Sequence, residues 1–169
     1  TFKDKVVHQA GYSSWRISRL VMDTAGIIEG SPRQRDEDLL RKMLRTAETD
    51  AEQRSVIVDF IAMAESNYLK GRALTLLAEM YLNSVAVGEL DIKTQNMLLN
   101  PGLGAHQDAE FLINVCTVFV EQGVGLSFVS ECINTLESNP HKNKFEAEIL
   151  ILKGLAFAAE GRVEEALPL

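Results

Sequence analysis

The amino-acid sequence predicts an all-α protein built from antiparallel helix hairpins, with about seven or eight helices in total. Only four of the 169 residues are prolines, and strong helix formers such as Ala, Leu, Glu and Lys are abundant. Apolar residues make up 46% of the chain, which is enough to build a hydrophobic core. Along most of the chain these residues recur every three or four positions, which is the spacing of an amphipathic helix.

The first four predicted helices lie in the N-terminal half of the chain. The first covers residues 13–29, where serines cap the start and Trp15 is expected to anchor the helix in the core. A second helix covers residues 35–48, and acidic residues suit the positive end of its dipole. A third helix starts near Asp50 and a fourth covers residues 71–87.

The C-terminal half begins with the least regular region, residues 88–107, which contains a short predicted helix at "TQNMLL". The stretch "AEFLINVCTVFVEQG" has the residue types of a strand. Its length and its lack of polar alternation nevertheless favour a buried helix. The stretch "LSFVSECINTLESNP" predicts the next helix, a very apolar helix follows from about Lys144 to Glu160, and "RVEEALPL" begins another.

The stretch "LKGLAFAAEGRVEEAL", residues 152–167, resembles a tetratricopeptide repeat, which is a helix–turn–helix of about 34 residues. Gly154 and Phe157 occupy the places of the small residue and the aromatic residue in the first helix. Gly161 forms the turn between the helices, and Ala166 is the small residue of the second helix. The sequence departs from the family at Lys153, where Leu is usual.

Two further copies of the pattern lie upstream. The middle copy keeps the repeat spacing at Leu112, Val115, Cys116, Phe119, Gly123, Phe128, Cys132 and Pro140. A fainter copy has Leu74, Leu77, Ala78 and Tyr81. The copies start at residues 71, 109 and 147 and therefore cover residues 71–169. The resemblance implies a right-handed solenoid of stacked hairpins, in which residues 1–70 are divergent helices of the same single domain.

In tetratricopeptide proteins the first helix of each repeat lines a groove that holds a peptide. The corresponding residues here are Ile113, Thr117, Val120, Ile151, Leu155 and Ala158. Because nearly all are apolar, the resemblance implies a protein or peptide partner with an apolar or amphipathic segment. Leu150, Gly154 and Phe157 form the neighbouring stripe, which is expected to pack inside the repeat.

No catalytic or cofactor motif occurs in the sequence. His8, His106 and His141 lack the spacing of zinc ligands. Cys116 and Cys132 lie inside apolar helical patterns, where a cysteine behaves as a small hydrophobic residue. We therefore expect a protein that is not an enzyme and that needs no metal or cofactor.

Charge and hydropathy narrow the expected partners. The net charge is −7, and most of the excess acid lies in residues 107–169, so a nucleic-acid partner is not expected. No apolar run is long enough to span a membrane. Together with the two cysteines, which are expected to be reduced and packed in the core, this leads us to expect a cytoplasmic protein.

The sequence leaves three functions open. The first is a protein-binding scaffold or adaptor, of which the small bacterial secretion chaperones of tetratricopeptide type are an example. The second is a structural segment of a longer helical solenoid within a multiprotein complex, and the third is a regulatory domain of a larger protein. The helix that Glu164 begins is short, so we also expect either a longer parent chain or self-association through the C-terminal end. The N-terminal stretch "FKDKVVHQAGY" is a further candidate to fill the groove.

Overall fold

A computed structural model describes residues 32–64 and 66–167, and all regular secondary structure in these residues is helical. The α-helices are α1 (Pro32–Thr46), α2 (Asp50–Met63), α3 (Asn67–Ala86), α4 (Ile92–Leu99), α5 (Ala105–Gln122), α6 (Leu126–Glu137), α7 (Glu146–Ala159) and α8 (Val163–Ala166), with a 3-10 turn at Lys142–Phe145. The all-α prediction is therefore confirmed for this part of the chain. The predicted helix at residues 13–29, with Trp15, lies outside the described residues.

The ambiguous stretch "AEFLINVCTVFVEQG" forms α5 and not a strand. The other boundaries differ from the prediction by a few residues. Helix α3 begins at Asn67 rather than at residue 71, and the residues from Lys142 to Phe145 form a 3-10 turn before α7. Helix α2 starts after Thr49, whose hydroxyl accepts a hydrogen bond from the Glu52 N–H, while the Glu52 carboxylate accepts one from the Thr49 N–H. This reciprocal cap satisfies backbone donors that have no partner within the helix.

The chain divides into two compact units, Thr1–Leu77 and Ala78–Leu169. In the described part of the first unit, α1 and α2 pack against each other. Its buried apolar side chains are Leu40, Met43, Ile57, Phe60, Ile61, Leu69, Ala73, Leu74 and Leu77. They recur at helical spacing, as the sequence pattern predicts.

The core of the second unit contains a cluster of three aromatic rings. Tyr81, Phe119 and Phe128 are each 1% exposed. The ring centroids of Phe119 and Phe128 lie 4.9 Å apart, and those of Tyr81 and Phe128 lie 5.2 Å apart in an edge-to-face arrangement. Such pairs stabilise a core beyond the area that they bury. The Tyr81 hydroxyl donates a hydrogen bond of 2.8 Å to Gln95 Oε1, so its polar end is also satisfied.

The hairpin between α5 and α6 depends on two glycines. Gly123 ends α5 with a φ of 64°, so the predicted glycine turn is confirmed at this position. Gly125 precedes α6 with a φ of 61°. A Cβ atom on Gly125 would lie 2.8 Å from Phe119 Cδ1, so the turn also lies close against the aromatic cluster. Glycine is required here both for its backbone conformation and for its lack of a side chain.

Helices α5, α6 and α7 contact one another pairwise. The C-terminal end of α6 is joined to the start of α5, because Asn139 Nδ2 donates a hydrogen bond of 2.8 Å to the Ala105 carbonyl oxygen. Helix α7 contributes Ile149, Leu152 and Ala156 as its buried residues. This packing leaves the opposite side of α7 facing solvent.

Candidate functional site

The most distinctive surface of the second unit is the solvent-facing side of α7. Ile151 is 61% exposed, Leu155 is 42% exposed and Leu150 is 36% exposed. We define the α7 open face as Ala147, Leu150, Ile151, Gly154, Leu155 and Ala158. An exposed helix face that carries no charged side chain is unusual, since solvent-facing helix surfaces are normally polar. A contiguous apolar patch of this kind is a candidate interaction surface.

The structure brings the three predicted groove residues of α7 together. Ile151, Leu155 and Ala158 are all exposed, and they follow one another on the same side of the helix. In the described part of the second unit, a partner could therefore reach all three side chains.

The three predicted groove residues of α5 are less accessible. Ile113 and Thr117 are half-buried, and the Thr117 hydroxyl donates a hydrogen bond of 2.8 Å to the Ile113 carbonyl oxygen. Val120 is only 7% exposed, so it belongs to the core and offers no surface to a partner. The predicted groove residues of α5 therefore offer less surface than the sequence suggests, although Val118 of the same helix is 43% exposed. Of the six predicted groove residues, those of α7 are the exposed ones.

One expectation about α7 is wrong. Leu150, Gly154 and Phe157 were expected to pack inside the repeat, yet Leu150 is exposed, Phe157 is half-buried, and no described atom lies within 4 Å of the position of a Cβ on Gly154. The packed residues are Ile149, Leu152 and Ala156. The packed side of the helix is thus turned by roughly 130° about the helix axis from the expected side. Because α7 is apolar on nearly every side, its sequence gives no polar face from which the rotation could be read.

The C-terminal end of α7 is fixed by a compact turn around Arg162. Gly161 has a φ of 77°, which confirms the turn expected there, and the Arg162 N–H donates a hydrogen bond of 2.8 Å to the Phe157 carbonyl oxygen. These are features of the glycine-ended helix C-terminus. The Arg162 guanidinium lies 4.6 Å from the centroid of the Phe157 ring. This cation–π contact covers the half-buried Phe157 ring at the C-terminal end of α7.

Carboxylates surround the same guanidinium. Arg162 Nη1 lies 3.0 Å from Glu160 Oε2, and Arg162 also forms a bidentate ion pair with Glu165. These bonds raise the pKa of Arg162 and lower the pKa of Glu165, so both groups are charged at neutral pH. The sequence indicated the turn at Gly161, and the contact between Arg162 and Phe157 across that turn could have been inferred from it.

Lys153 does not lie on the α7 open face. Its ammonium group forms an ion pair with Glu137 of α6, so its charge has a partner on the neighbouring helix. An open cleft of about 330 Å³ adjoins this ion pair. The residues that line the cleft are Glu137, Lys142, Asn143, Glu146, Ile149, Leu150 and Lys153. Positive and negative side chains are balanced in it, so it favours no particular ligand charge.

The structure places two histidines together that the sequence separates. The ring centroids of His106 and His141 lie 6.0 Å apart, and His106 also lies 5.0 Å from the Phe145 ring. His106 Nε2 is 3.4 Å from Glu110 Oε1. Within the described residues no group of three or more His, Cys, Asp or Glu side chains is arranged to hold a metal ion. No sequence signal joins these histidines, because 34 residues separate them.

The two cysteines lie in the core of the second unit. Cys116 and Cys132 are free thiols and both are 0% exposed. Burial raises the pKa of Cys132 far above its ordinary value, and the neighbouring Cys116 adds to the effect. The thiol therefore stays protonated, whereas a nucleophilic cysteine must form a thiolate. Core packing is the role that fits both residues.

Comparisons with known proteins give no match to a protein family, to a curated protein or to a solved structure. In the part of the chain that the structure describes, no helix has both the length and the hydropathy needed to cross a lipid bilayer. The α7 open face is therefore the feature of this chain that bears on its function.

Proposed function

We propose that this chain is a non-enzymatic, tetratricopeptide-like scaffold that holds an apolar or amphipathic segment of a partner protein on the α7 open face. The observation that carries the proposal is the exposure of Ile151 and Leu155 in the middle of a long helix. Full burial of an exposed aliphatic side chain of this size stabilises a complex by about 1.5–3 kcal/mol. Ile151 and Leu155 are 61% and 42% exposed, so a partner that covers them could gain roughly half of that value from each. The repeat-like spacing of the sequence supports the same conclusion, because it assigns these residues to a peptide-binding groove.

The opposite side of the helix supports the proposal too. Leu152 is 2% exposed and Ile149 is 6% exposed, so α7 already has a complete core-facing side. The apolar residues of the open face are therefore not required for the packing of the second unit. A surface that the fold does not need and that is costly to expose fits a binding role.

The test compares glutamate substitutions on the two sides of α7. Leu155→Glu should leave the fold intact, because its side chain is accessible to water. Leu152→Glu should reduce the free energy of unfolding by about 3 kcal/mol or more, because it buries an unpaired charge. Urea denaturation followed by circular dichroism measures both effects. The reverse order of stabilities would show that the open face belongs to the core.

Binding is tested by co-purification with quantitative mass spectrometry from cells that express the tagged chain. The wild-type chain, Leu155→Glu and the control Ser130→Glu are compared. Ser130 is an exposed residue of α6, so its substitution adds the same charge outside the site. We expect Leu155→Glu alone to lose specific partners. If all three chains retain the same partners, the proposed function is wrong.

A further inference from the structure

The shape of the α7 open face favours a helix as the bound segment. Ala147, Ile151, Gly154 and Ala158 are spaced by four, three and four residues, so they follow one line along the helix. Three of these residues are small, and they form a lane that is shallow on either side of Ile151, its one large and exposed side chain. Leu150 borders the lane on one side and Leu155 borders it on the other. Small residues at a helix contact allow the axis of a second helix to come close.

Gly154 strengthens this argument. It lies in the interior of α7, where glycine weakens a helix relative to alanine. Nothing in the described chain lies within 4 Å of the position of its Cβ atom, so no internal contact requires the glycine. An external helix that packs directly against the backbone would require it. From Ala147 to Ala158 the lane is about 16 Å long, which corresponds to three helical turns.

The charges around the lane indicate what that helix must carry. Glu146 and Glu148 are exposed and stand on opposite flanks of the lane at its N-terminal end. Glu160, Glu164 and Glu165 are exposed at its C-terminal end. Arg162 is already ion-paired with Glu160 and Glu165, and Lys153 is paired with Glu137 of α6. Lys142 and Lys144 are exposed just before α7, and Lys142 shares a cleft with Glu146. The five glutamates outnumber these cations, so the border of the lane carries a net negative charge.

This border opposes self-association through the same face. In a parallel or an antiparallel pair of α7 helices, the glutamates at the ends of one copy would face glutamates of the other copy. Like charges that face each other across an interface disfavour the complex, whereas opposite charges steer the correct partner. A second copy of the chain is therefore a poor occupant, and a basic helix is a good one.

We infer that the α7 open face binds an amphipathic helix of a partner protein, with an apolar stripe that fits the Gly154 lane and Lys or Arg residues on both flanks. This inference rests on the proposed function and specifies the chemistry of the partner. The apolar stripe would cover Ile151 and Leu155. The basic flanks would pair with Glu146 and Glu148 at one end and with the carboxylates beyond Ala158 at the other.

The experiment uses two synthetic helical peptides of about 18 residues, which is long enough to cover the lane. Both carry the same leucine and alanine stripe, but one has lysine and arginine flanks and the other has glutamate flanks. Fluorescence anisotropy measures the binding of each peptide to the full chain at low and at near-physiological salt. We expect the basic peptide to bind at least about tenfold more tightly, with an affinity that falls as salt increases.

Variants locate the binding. Gly154→Leu fills the lane without changing any charge. It should weaken the binding of the basic peptide by about tenfold or more. The matched control, Ser130→Leu on α6, adds the same side chain elsewhere and should have no effect. Glu148→Gln combined with Glu165→Gln should weaken binding and reduce its salt dependence, whereas Glu131→Gln should not. Circular dichroism and urea denaturation verify that each variant is folded.

Three results would overturn the inference. Equal binding of the two peptides would show that the acidic border does not select the partner. Binding that Gly154→Leu leaves unchanged would place the peptide elsewhere on the chain. Failure of both peptides to bind, with a dimer seen in light scattering, would identify a second copy as the occupant. If the basic peptide fails while Leu155→Glu still loses cellular partners, the inference is wrong and the proposed function stands.

Discussion

Alanine at Gly125 should destabilise the second unit much more than alanine at Gly123, although the two glycines lie in the same short turn. Both have a left-handed backbone conformation, with φ values of 61° and 64°. They differ in their surroundings. A Cβ at Gly125 would lie 2.8 Å from Phe119 Cδ1 and 3.3 Å from Val85 Cγ1. No described atom lies within 4 Å of the corresponding position at Gly123.

The expected magnitudes follow from these contacts. The left-handed conformation costs an alanine about 1–2 kcal/mol relative to glycine, and part of this cost is offset because alanine reduces the entropy of the unfolded chain. We therefore expect Gly123→Ala to lower the free energy of unfolding by about 1 kcal/mol. At Gly125 the clash adds about 1–3 kcal/mol, since the Phe119 ring is 1% exposed and is held by Tyr81 and Phe128. The total for Gly125→Ala is about 2–4 kcal/mol.

Urea denaturation followed by far-ultraviolet circular dichroism measures both substitutions. A second comparison identifies the cause, because Phe119→Leu removes the ring that the new Cβ would contact. In that background the additional cost of Gly125→Ala should shrink by about 1–2 kcal/mol. Equal destabilisation by the two alanine variants, within about 0.5 kcal/mol, would refute the contact argument. The contact argument would also be refuted if the difference in destabilisation between Gly125→Ala and Gly123→Ala were unchanged in the Phe119→Leu background.

Three further predictions follow from hydrogen bonds and ion pairs. Thr49→Ala should lower the free energy of unfolding by about 1 kcal/mol because it removes the cap of α2. The control Thr135→Ala, at a half-buried threonine inside α6, should cost less than about 0.5 kcal/mol. Equal urea midpoints for the two variants would contradict this prediction. Burial, with a smaller effect of Asp91, raises the pKa of Tyr81 above its ordinary value of 10.0. The stability that depends on the protonated Tyr81 hydroxyl is therefore fully present below pH 10. It is lost as the pH rises from there towards the pKa of Tyr81 in the folded state. Tyr81→Phe should give a flatter alkaline stability profile, and parallel profiles for the two chains would refute the assignment. Lys153→Met should change stability by less than about 1 kcal/mol because its ion pair is partly exposed, and a larger loss in a thermal melt would show that the pair is essential.

The helical elements of the second unit could be predicted well because each has a local signal. The stretch that forms α5 shows why length matters more than residue type. Phe, Ile, Val and Thr favour a strand in isolation, but the buried residues of α5 recur with the period of a helix from Ala109 to Val120. The turns at Gly123 and Gly161 were predictable too, since a left-handed residue after a helix favours glycine.

The candidate site was predicted only in part, and α7 shows the reason. The exposed residues Ile151 and Leu155 were among those that the repeat pattern assigns to a groove. The burial of Val120 and the exposure of Leu150 were not predicted. In a helix that is apolar on nearly every side, the sequence does not distinguish the residues that face the core from those that face a partner.

The sequence by itself determined the helical class, the order of the helices in the described residues, the glycine turns and the acidic character of the C-terminal part. These properties depend on neighbouring residues and on composition, so a linear reading is sufficient. Only the tertiary structure decided the rotation of α7, the aromatic cluster around Phe119 and the juxtaposition of His106 with His141. Each of these depends on which helices pack together and at what angle, and that is set by side chains far apart in the chain.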